Sequence, residues 1–247
     1  MNIFVQIRTM WLLRNFKAFF SLFHLHFIFS FIEKHLMTLS NLSSYSRWVS
    51  HNKSKFKFSD YYHTEFVREN KRQSYFDFIK KDQNLEVFSY LEFGVYEGHS
   101  MRWWSENNAH PDTRFYGFDT FEGLPEEWGH YKKGDMTVHG NYPKIDDARI
   151  KYLKGLFQDT LIQFTKDQDL RGKLVINLDA DLYSSTLFVL TVLYPFLKDG
   201  DIIMFDEFNV PNHEYRAYLD FIKSYYIELI PLAAASNFYH AAFIVKK

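Results

Sequence analysis

A chain of 247 residues is long enough for one large α/β domain with appendages, or at most two small domains. Hydrophobic residues make up 47% and aromatics 20%, which supplies a core and excludes wholesale disorder. The formal net charge of −1 argues against a nucleic-acid binder with a broad basic face, and the lack of cysteine excludes disulfides, thiolate zinc and a cysteine nucleophile.

The first 36 residues are unlike the rest. Residues 18–32 read AFFSLFHLHFIFSFI, apolar apart from Ser21, His24, His26 and Ser30, with Lys17 before them and Glu33 and Lys34 after. A bilayer-spanning helix needs roughly 20 apolar residues, more than this run offers, and no small-residue cleavage site accompanies it. His24 and His26 fall on different faces of a helical wheel, so the amphipathic case is weak as well. Three roles stay open: a membrane-interface helix, a helix covering the core or a dimer seam, or residues upstream of the true start, with Met37 as the alternative initiator. Residues 1–37 are expected as an apolar helical appendage rather than an anchor. The expected location is cytoplasmic, with peripheral membrane contact through 1–36 and a homo-oligomer left open.

Residues 38–84 read as a polar helical cap. Ser40 or Asn41 is placed to cap a short helix ending at Trp48. Phe66, Val67, Tyr75, Phe76 and Ile79 recur at helical spacing and predict an amphipathic helix over 64–81. From residue 85 the period changes. Strands are predicted at 87–93, 114–119, 150–156, 173–178 and 202–205. Helices fall around Trp103 and Trp104 and over 160–167, 185–197 and 214–226. Residues 228–233 and 239–245 close the chain as a hairpin turning at Ser236 and Asn237. The polar stretch 121–147 is too long for an ordinary connection and is expected to carry its own helix, as a lid or binding loop. The alternation predicts an α/β fold, a doubly wound, mostly parallel Rossmann-like sheet, with a C-terminal antiparallel hairpin and an N-terminal helical appendage. The domain proper occupies 85–247.

The chemistry gathers at strand ends. Val175, Ile176 and Leu178 make a strand covered on both faces, which then turns acidic at Asp179 and Asp181. Residues 202–205 repeat the design, ending in Asp206 and Glu207. Ligands of open α/β sheets bind at the carboxyl ends of the strands, so these acids converge on one edge. Hard oxygen donors without Cys or paired His favour Mg²⁺, Mn²⁺ or Ca²⁺ over zinc, and a divalent cation would relieve their mutual repulsion. The alternative is that some of them cap the following helices, which suits Asp181 best and Asp179 least.

The turn EFGVYEGHS places Gly94 and Gly98 between a strand and a helix, where backbone can approach a ligand and a helix start can attract an anion. Its E-x-G-x-x-x-G-x-S spacing departs from the G-x-G-x-x-G of dinucleotide sites and points to a carboxylate rather than a pyrophosphate. A glycine-containing turn with no ligand is the competing reading. Asp119 ends the next strand about 25 residues after Gly94, near the offset of a ribose-binding acid. A cap for the segment that follows is its alternative.

Taken together, EFGVYEGHS, FDTFEGLP, LDADLYSST and FDEFN resemble a class I S-adenosylmethionine-dependent methyltransferase, and within that class the macrocin O-methyltransferase group, sugar O-methyltransferases of macrolide biosynthesis. The glycine turn and the acid pair also resemble catechol-type, metal-dependent O-methyltransferases. The likeness runs from residue 85 to the C-terminus. It implies an enzyme using S-adenosyl-L-methionine and Mg²⁺, or another hard divalent cation, on a hydroxyl of a sugar or other vicinal-diol small molecule, with no nucleic-acid partner. Glu92, Gly94, Gly98 and Ser100 would hold the methionine end of the cofactor, Asp119 its ribose, and Phe157 and Gln158 would border its adenine. Asp179, Asp206 and Glu207 would hold the metal, with Glu207 standing where Asp or Asn is usual. Catechol-type enzymes place a lysine base shortly after the first metal aspartate, and here Leu182 stands near that place. His213 is therefore the candidate base and Asp181 the second. The competing class is a non-catalytic methyltransferase-fold protein with structural acids and a membrane- or partner-binding N-terminal segment. A nicotinamide oxidoreductase is disfavoured by the missing G-x-G-x-x-G.

Overall fold

The computed structural model of the chain describes residues 3–61, 68–167, 170 and 172–247. It divides into two units, Met1–Ser44 and Tyr45–Lys247.

The larger unit is built on one sheet. Its strands are β1 (Phe58–Ser59), β2 (Phe88–Phe93), β3 (Arg114–Asp119), β4 (Ile150–Lys154), β5 (Lys173–Leu178), β6 (Ile202–Phe205), β7 (Glu228–Ala235) and β8 (His240–Lys246). They lie in the order β1-β7-β8-β6-β5-β2-β3-β4. Only β8 runs against its neighbours, β6 and β7; every other pairing is parallel. This is the Rossmann-like, mostly parallel sheet with a closing antiparallel hairpin that the sequence predicts. The strand order reverses between β2 and β5, which places a crevice at their carboxyl ends.

Helices cover both faces because successive strand residues point to opposite sides. Leu91, Phe93, Ile176, Leu178, Ile203 and Phe205 form one face of the core with α-helical residues Leu161, Phe164, Val189, Leu190 and Phe221. Phe88, Tyr90, Val175, Ile202 and Met204 form the other with Tyr75, Phe76, Ile79, Met101 and Trp104. The first set of helices is α5 (Phe157–Asp167), α6 (Tyr183–Leu193) and α7 (Glu214–Tyr225); the second is α3 (Arg68–Asp82) and α4 (His99–Glu106). Trp104 is fully buried, and its truncation to alanine costs about 3–5 kcal/mol at such a site.

Several expectations are corrected. Ser40 and Asn41 cap nothing, because they lie inside one continuous helix, α2 (His26–Asn52), which is preceded by α1 (Ile3–Leu22). Residues 64–67, including Phe66 and Val67, lie outside the described residues, so the helix predicted over 64–81 is seen from Arg68. The α-helix predicted to reach residue 197 stops at Leu193 and tightens into a 3₁₀ turn, Tyr194–Phe196, because Pro195 has no N–H to continue the ladder. Residues 121–147 carry no helix. Gly123, Gly129, Gly134 and Gly140 all take positive φ there, and Leu124 exchanges backbone hydrogen bonds with Asp135 and Gly134 instead.

In the smaller unit the apolar run 18–32 is interrupted. His24 takes a φ of +50° and separates α1 from α2, so no single helix among the described residues is long and apolar enough to cross a membrane. The helices bracketing this break are bent by 109°. Trp11, Phe16, Phe19, Phe23, Phe27 and Phe31 are all exposed.

Candidate active site

The strand ends are tied together by backbone. The Gly94 N–H donates to Phe118 O and the Asp179 N–H to Phe93 O, both at 2.9 Å. Gly94 takes a φ of +91°, and a Cβ there would lie 1.8 Å from the Asp179 carbonyl oxygen. A Cβ on Gly98, at φ +77°, would lie 2.7 Å from Pro143 Cβ. Both glycines are therefore required by close approach of the protein's own chain. Gly98 then starts α4 with no side-chain cap, leaving the first N–H groups of that helix without a capping side chain.

Asp119 shapes the same turn. Its Oδ2 accepts the Val95 and Tyr96 N–H groups at 2.7 and 2.8 Å, and its Oδ1 accepts the Phe121 N–H at 2.7 Å. No helix follows Asp119 for it to cap; its Oδ1 closes a turn to Phe121, and the residue lines the crevice.

That crevice is a cavity of about 1060 Å³ at the carboxyl ends of β2 to β6. Gly94, Asp119, Phe157, Gln158, Asp179, Asp181 and Glu207 line it. Glu92, Gly98, Ser100, Asp206 and His213 are not among its lining residues. Ser100 is buried in the first turn of α4, and Glu92 is buried at the end of β2 with its Oε2 lacking a hydrogen-bond partner. Burial pushes the Glu92 carboxyl well up; Arg72 opposes this, and Asp206 and Asp119 add to it.

Arg72 is the residue that sequence reasoning missed. It projects from α3 into the acids, where its Nη2 donates to Asp206 Oδ2 and lies 3.7 Å from Asp179 Oδ2. Burial would depress its pKa, but Asp206, Asp179 and Glu92 outweigh that and hold it above its ordinary value. The other Asp206 oxygen, Oδ1, is 2.9 Å from His240 Nδ1, close enough for an ion-pair contact but not aligned as a hydrogen bond. Glu207 Oε1 accepts the Tyr239 hydroxyl, and the Glu207 N–H donates to Glu214 Oε2 at 2.8 Å. Among the described residues, no three acidic, His or Cys side chains are grouped to hold a metal ion. The expected set of Asp179, Asp206 and Glu207 does not fit a divalent cation in this arrangement. The Arg72 guanidinium and the Tyr239 phenol already donate to oxygens of Asp206 and Glu207, and the His240 imidazole stands against the other Asp206 oxygen.

The candidate bases separate clearly. Asp181 is buried, lines the cavity and sits at a φ of +58°. The N-cap position of α6 is taken by Leu182, which makes no side-chain cap hydrogen bond. Asp179 also faces the cavity; burial, Asp206, Asp181 and Glu92 push its carboxyl well up against the pull of Arg72. His213 starts α7 with its ring 6.5 Å from that of Trp128 and its Nδ1 buried without a hydrogen-bond partner. Burial lowers its pKa; Glu126 opposes and Arg216 reinforces that shift. It is not among the residues that line the cavity.

The long loop forms the outer wall. Leu124, Pro125, Trp128, Tyr131 and Met136 line the cavity from this side. Trp128 and Tyr131 exchange backbone hydrogen bonds and stack with ring centroids 5.4 Å apart and planes at 7°. The end of the loop is clamped by Arg149, which pairs with Asp147 and donates to the carbonyls of Asn108, His110 and Ser105. Arg149 also holds the Asp147 carboxyl below the usual carboxylate range, burial notwithstanding.

The model of the macrocin O-methyltransferase (TylF) family matches residues 82–232, which run from the last turn of α3 into β7. A tetracenomycin enzyme of Streptomyces olivaceus, 8-demethyl-8-(2,3-dimethoxy-alpha-L-rhamnosyl)-tetracenomycin-C 4'-O-methyltransferase, is 32% identical over 156 residues, 51% of this chain and 57% of its own length. Demethyldecarbamoylnovobiocin O-methyltransferase of Streptomyces niveus is 28% identical over 152 residues, 51% of this chain and 53% of its own. The chain thus spans about half the length of the curated relatives it matches. Among solved structures, the calicheamicin methyltransferase CalS11 superposes with a TM-score of 0.55 at 19% identity, over 83% of this chain and 91% of that one, a likeness of fold. The family match covers more than half of the chain and contains the glycine turn, Asp119 and every acid of the cavity, so the chain belongs to the macrocin O-methyltransferase (TylF) family.

Proposed function

We propose that the protein is an S-adenosylmethionine-dependent O-methyltransferase that acts on a hydroxyl of a small sugar-bearing or vicinal-diol molecule. The observation that carries this reading is one continuous cavity. Gly94, Asp119, Phe157 and Gln158 line it together with Asp179, Asp181 and the Trp128–Tyr131 wall.

The residues present fit the cofactor. Asp119 Oδ1 retains lone pairs beyond the Phe121 bond and would take the ribose hydroxyls. The uncapped start of α4 suits a carboxylate, and Phe157 and Gln158 would border the adenine. When bound, the cofactor supplies an electrophilic methyl group on a sulfonium. The protein's part would be to hold the acceptor oxygen in line and to take its proton, a role we assign to Asp181, whose presence in the cavity lining supports it. No role in proton transfer is assigned to His213. The flat Trp128–Tyr131 pair gives an apolar face suited to a sugar ring. The Streptomyces olivaceus relative, named for a rhamnosyl tetracenomycin, supports such an acceptor. No step runs through a metal, since the acids do not fit one. Methyl transfer from labelled cofactor to a panel of glycosides and diols tests the reading. Cofactor binding without transfer to any hydroxylated acceptor would favour the non-catalytic alternative.

For residues 1–36 we propose peripheral membrane contact. Exposed Trp11, Phe16, Phe19 and Phe23 with Arg8, Arg14 and Lys17 nearby suit an anionic lipid interface. Co-sedimentation with anionic vesicles tests it; equal recovery with neutral vesicles, anionic vesicles and no vesicles would refute it.

A further inference from the structure

We propose that Arg72 is the resident cation of this site, and that the acids at the ends of β5 and β6 are organised around its guanidinium in place of a divalent metal. This rests on the methyl-transfer reading above for its catalytic meaning, but not for its structural claim.

Three observations converge. First, the guanidinium occupies the position of a shared counter-ion: Nη2 donates to Asp206 Oδ2 and lies 3.7 Å from Asp179 Oδ2. The Arg72 side chain is 18% exposed and that of Asp206 only 4%, so the pair is shielded from water. Second, one oxygen each of Asp206 and Glu207 already accepts a hydrogen bond from within the chain. Mg²⁺ demands near-octahedral oxygen ligation at about 2.1 Å. Here Asp206 faces Arg72 on one oxygen and His240 on the other, and Glu207 Oε1 accepts from Tyr239. Third, Arg72 lines the cavity while its Nε is buried without a hydrogen-bond partner. A cation bordering the cavity thus keeps one donor that the chain itself does not satisfy.

The chemistry follows from the guanidinium's shape. Its planar fork can donate to an acceptor hydroxyl oxygen while remaining paired with Asp206. As the O–H proton passes to Asp181 and the oxygen gains negative charge, a fixed cation beside it stabilises that charge without any ligand exchange. The oxygen–methyl bond then forms as the sulfonium–methyl bond breaks, leaving the neutral thioether.

The test uses the full-length protein and Mn²⁺, read by electron paramagnetic resonance, with methyl transfer measured in parallel. Wild type is expected to bind no Mn²⁺ at the acids and to keep its rate after exhaustive chelation. Arg72→Met, which keeps length but not charge, is expected to gain a Mn²⁺ site that Asp206→Asn abolishes, and to lose about 100-fold in kcat. Arg72→Lys is expected to exclude Mn²⁺ yet recover only part of the rate. Mn²⁺ bound by wild type and lost in Asp206→Asn would overturn the proposal, as would loss of wild-type activity on chelation with recovery on adding Mg²⁺. The wild-type Mn²⁺ titration needs no variant to fold and no activity to be present. A protein that excludes Mn²⁺ and also fails to bind S-adenosylmethionine would sink the methyl-transfer reading while leaving the cation assignment standing.

Discussion

Gly94 and Asp179 meet backbone to backbone: a Cβ on the first would lie 1.8 Å from the carbonyl oxygen of the second. This approach brings the end of β2 against the end of β5, so the glycine turn and the first cavity aspartate are placed by one contact. Gly94→Ala adds a left-handed strain to that clash and is expected to cost about 3 kcal/mol or more. Urea denaturation measures it, and an unchanged midpoint would show that the strand ends can separate freely.

Asp119 clasps the same turn from the other side through Val95, Tyr96 and Phe121. Asp119→Ala strands those amides and removes the proposed ribose ligand together. Stability should fall by about 1–3 kcal/mol and cofactor affinity by about tenfold or more. Asp119→Asn, retaining one acceptor oxygen, should recover most of the stability but less of the affinity, and calorimetry resolves the two effects.

The proposed proton acceptor is tested by comparing two variants. Asp181→Asn should lower kcat by about 10²- to 10⁴-fold with cofactor affinity intact. His213→Gln, altering a ring that does not line the cavity, should leave the pH–rate profile in place. A large kcat loss confined to His213→Gln would reverse the assignment.

Asp60 fastens the two-residue β1 to the β7–β8 turn. It accepts the Ser236 and Asn237 N–H groups and pairs with Lys71 at 2.9 Å. Burial alone would raise its pKa, but Lys71 and those amides outweigh burial and hold the carboxyl below its ordinary value. A depressed folded-state pKa stabilises the protein above the ordinary carboxylate range, and the benefit is lost as pH falls through the folded value. Asp60→Asn should therefore destabilise by about 1–2 kcal/mol at neutral pH, with the gap to wild type closing below about pH 4. A gap independent of pH would contradict the assignment.

Much of this architecture is legible in the sequence because apolar strands ending in acid mark the carboxyl edge of a parallel sheet. Asp119, Asp179 and Glu207 reach the cavity from three such ends. Arg72 was not legible, since it pairs with an aspartate 134 residues away from a polar helix whose charges read as solvent-facing. The two-residue β1 is too short to show any period. His213 is a candidate base by type and proximity in sequence, and its absence from the cavity lining is visible only in the structure. The loop after Asp119 looked long enough for a helix, but its four positive-φ glycines fold it back on itself.

The central claim is that the cavity at the strand ends binds S-adenosylmethionine through Asp119 and the glycine turn. Calorimetric titration of the full-length protein with S-adenosylmethionine tests it most directly. The account predicts one site of micromolar affinity, about −8 kcal/mol, weakened at least tenfold in Asp119→Ala. No heat of binding at high micromolar cofactor, or an affinity untouched by Asp119→Ala, would contradict it.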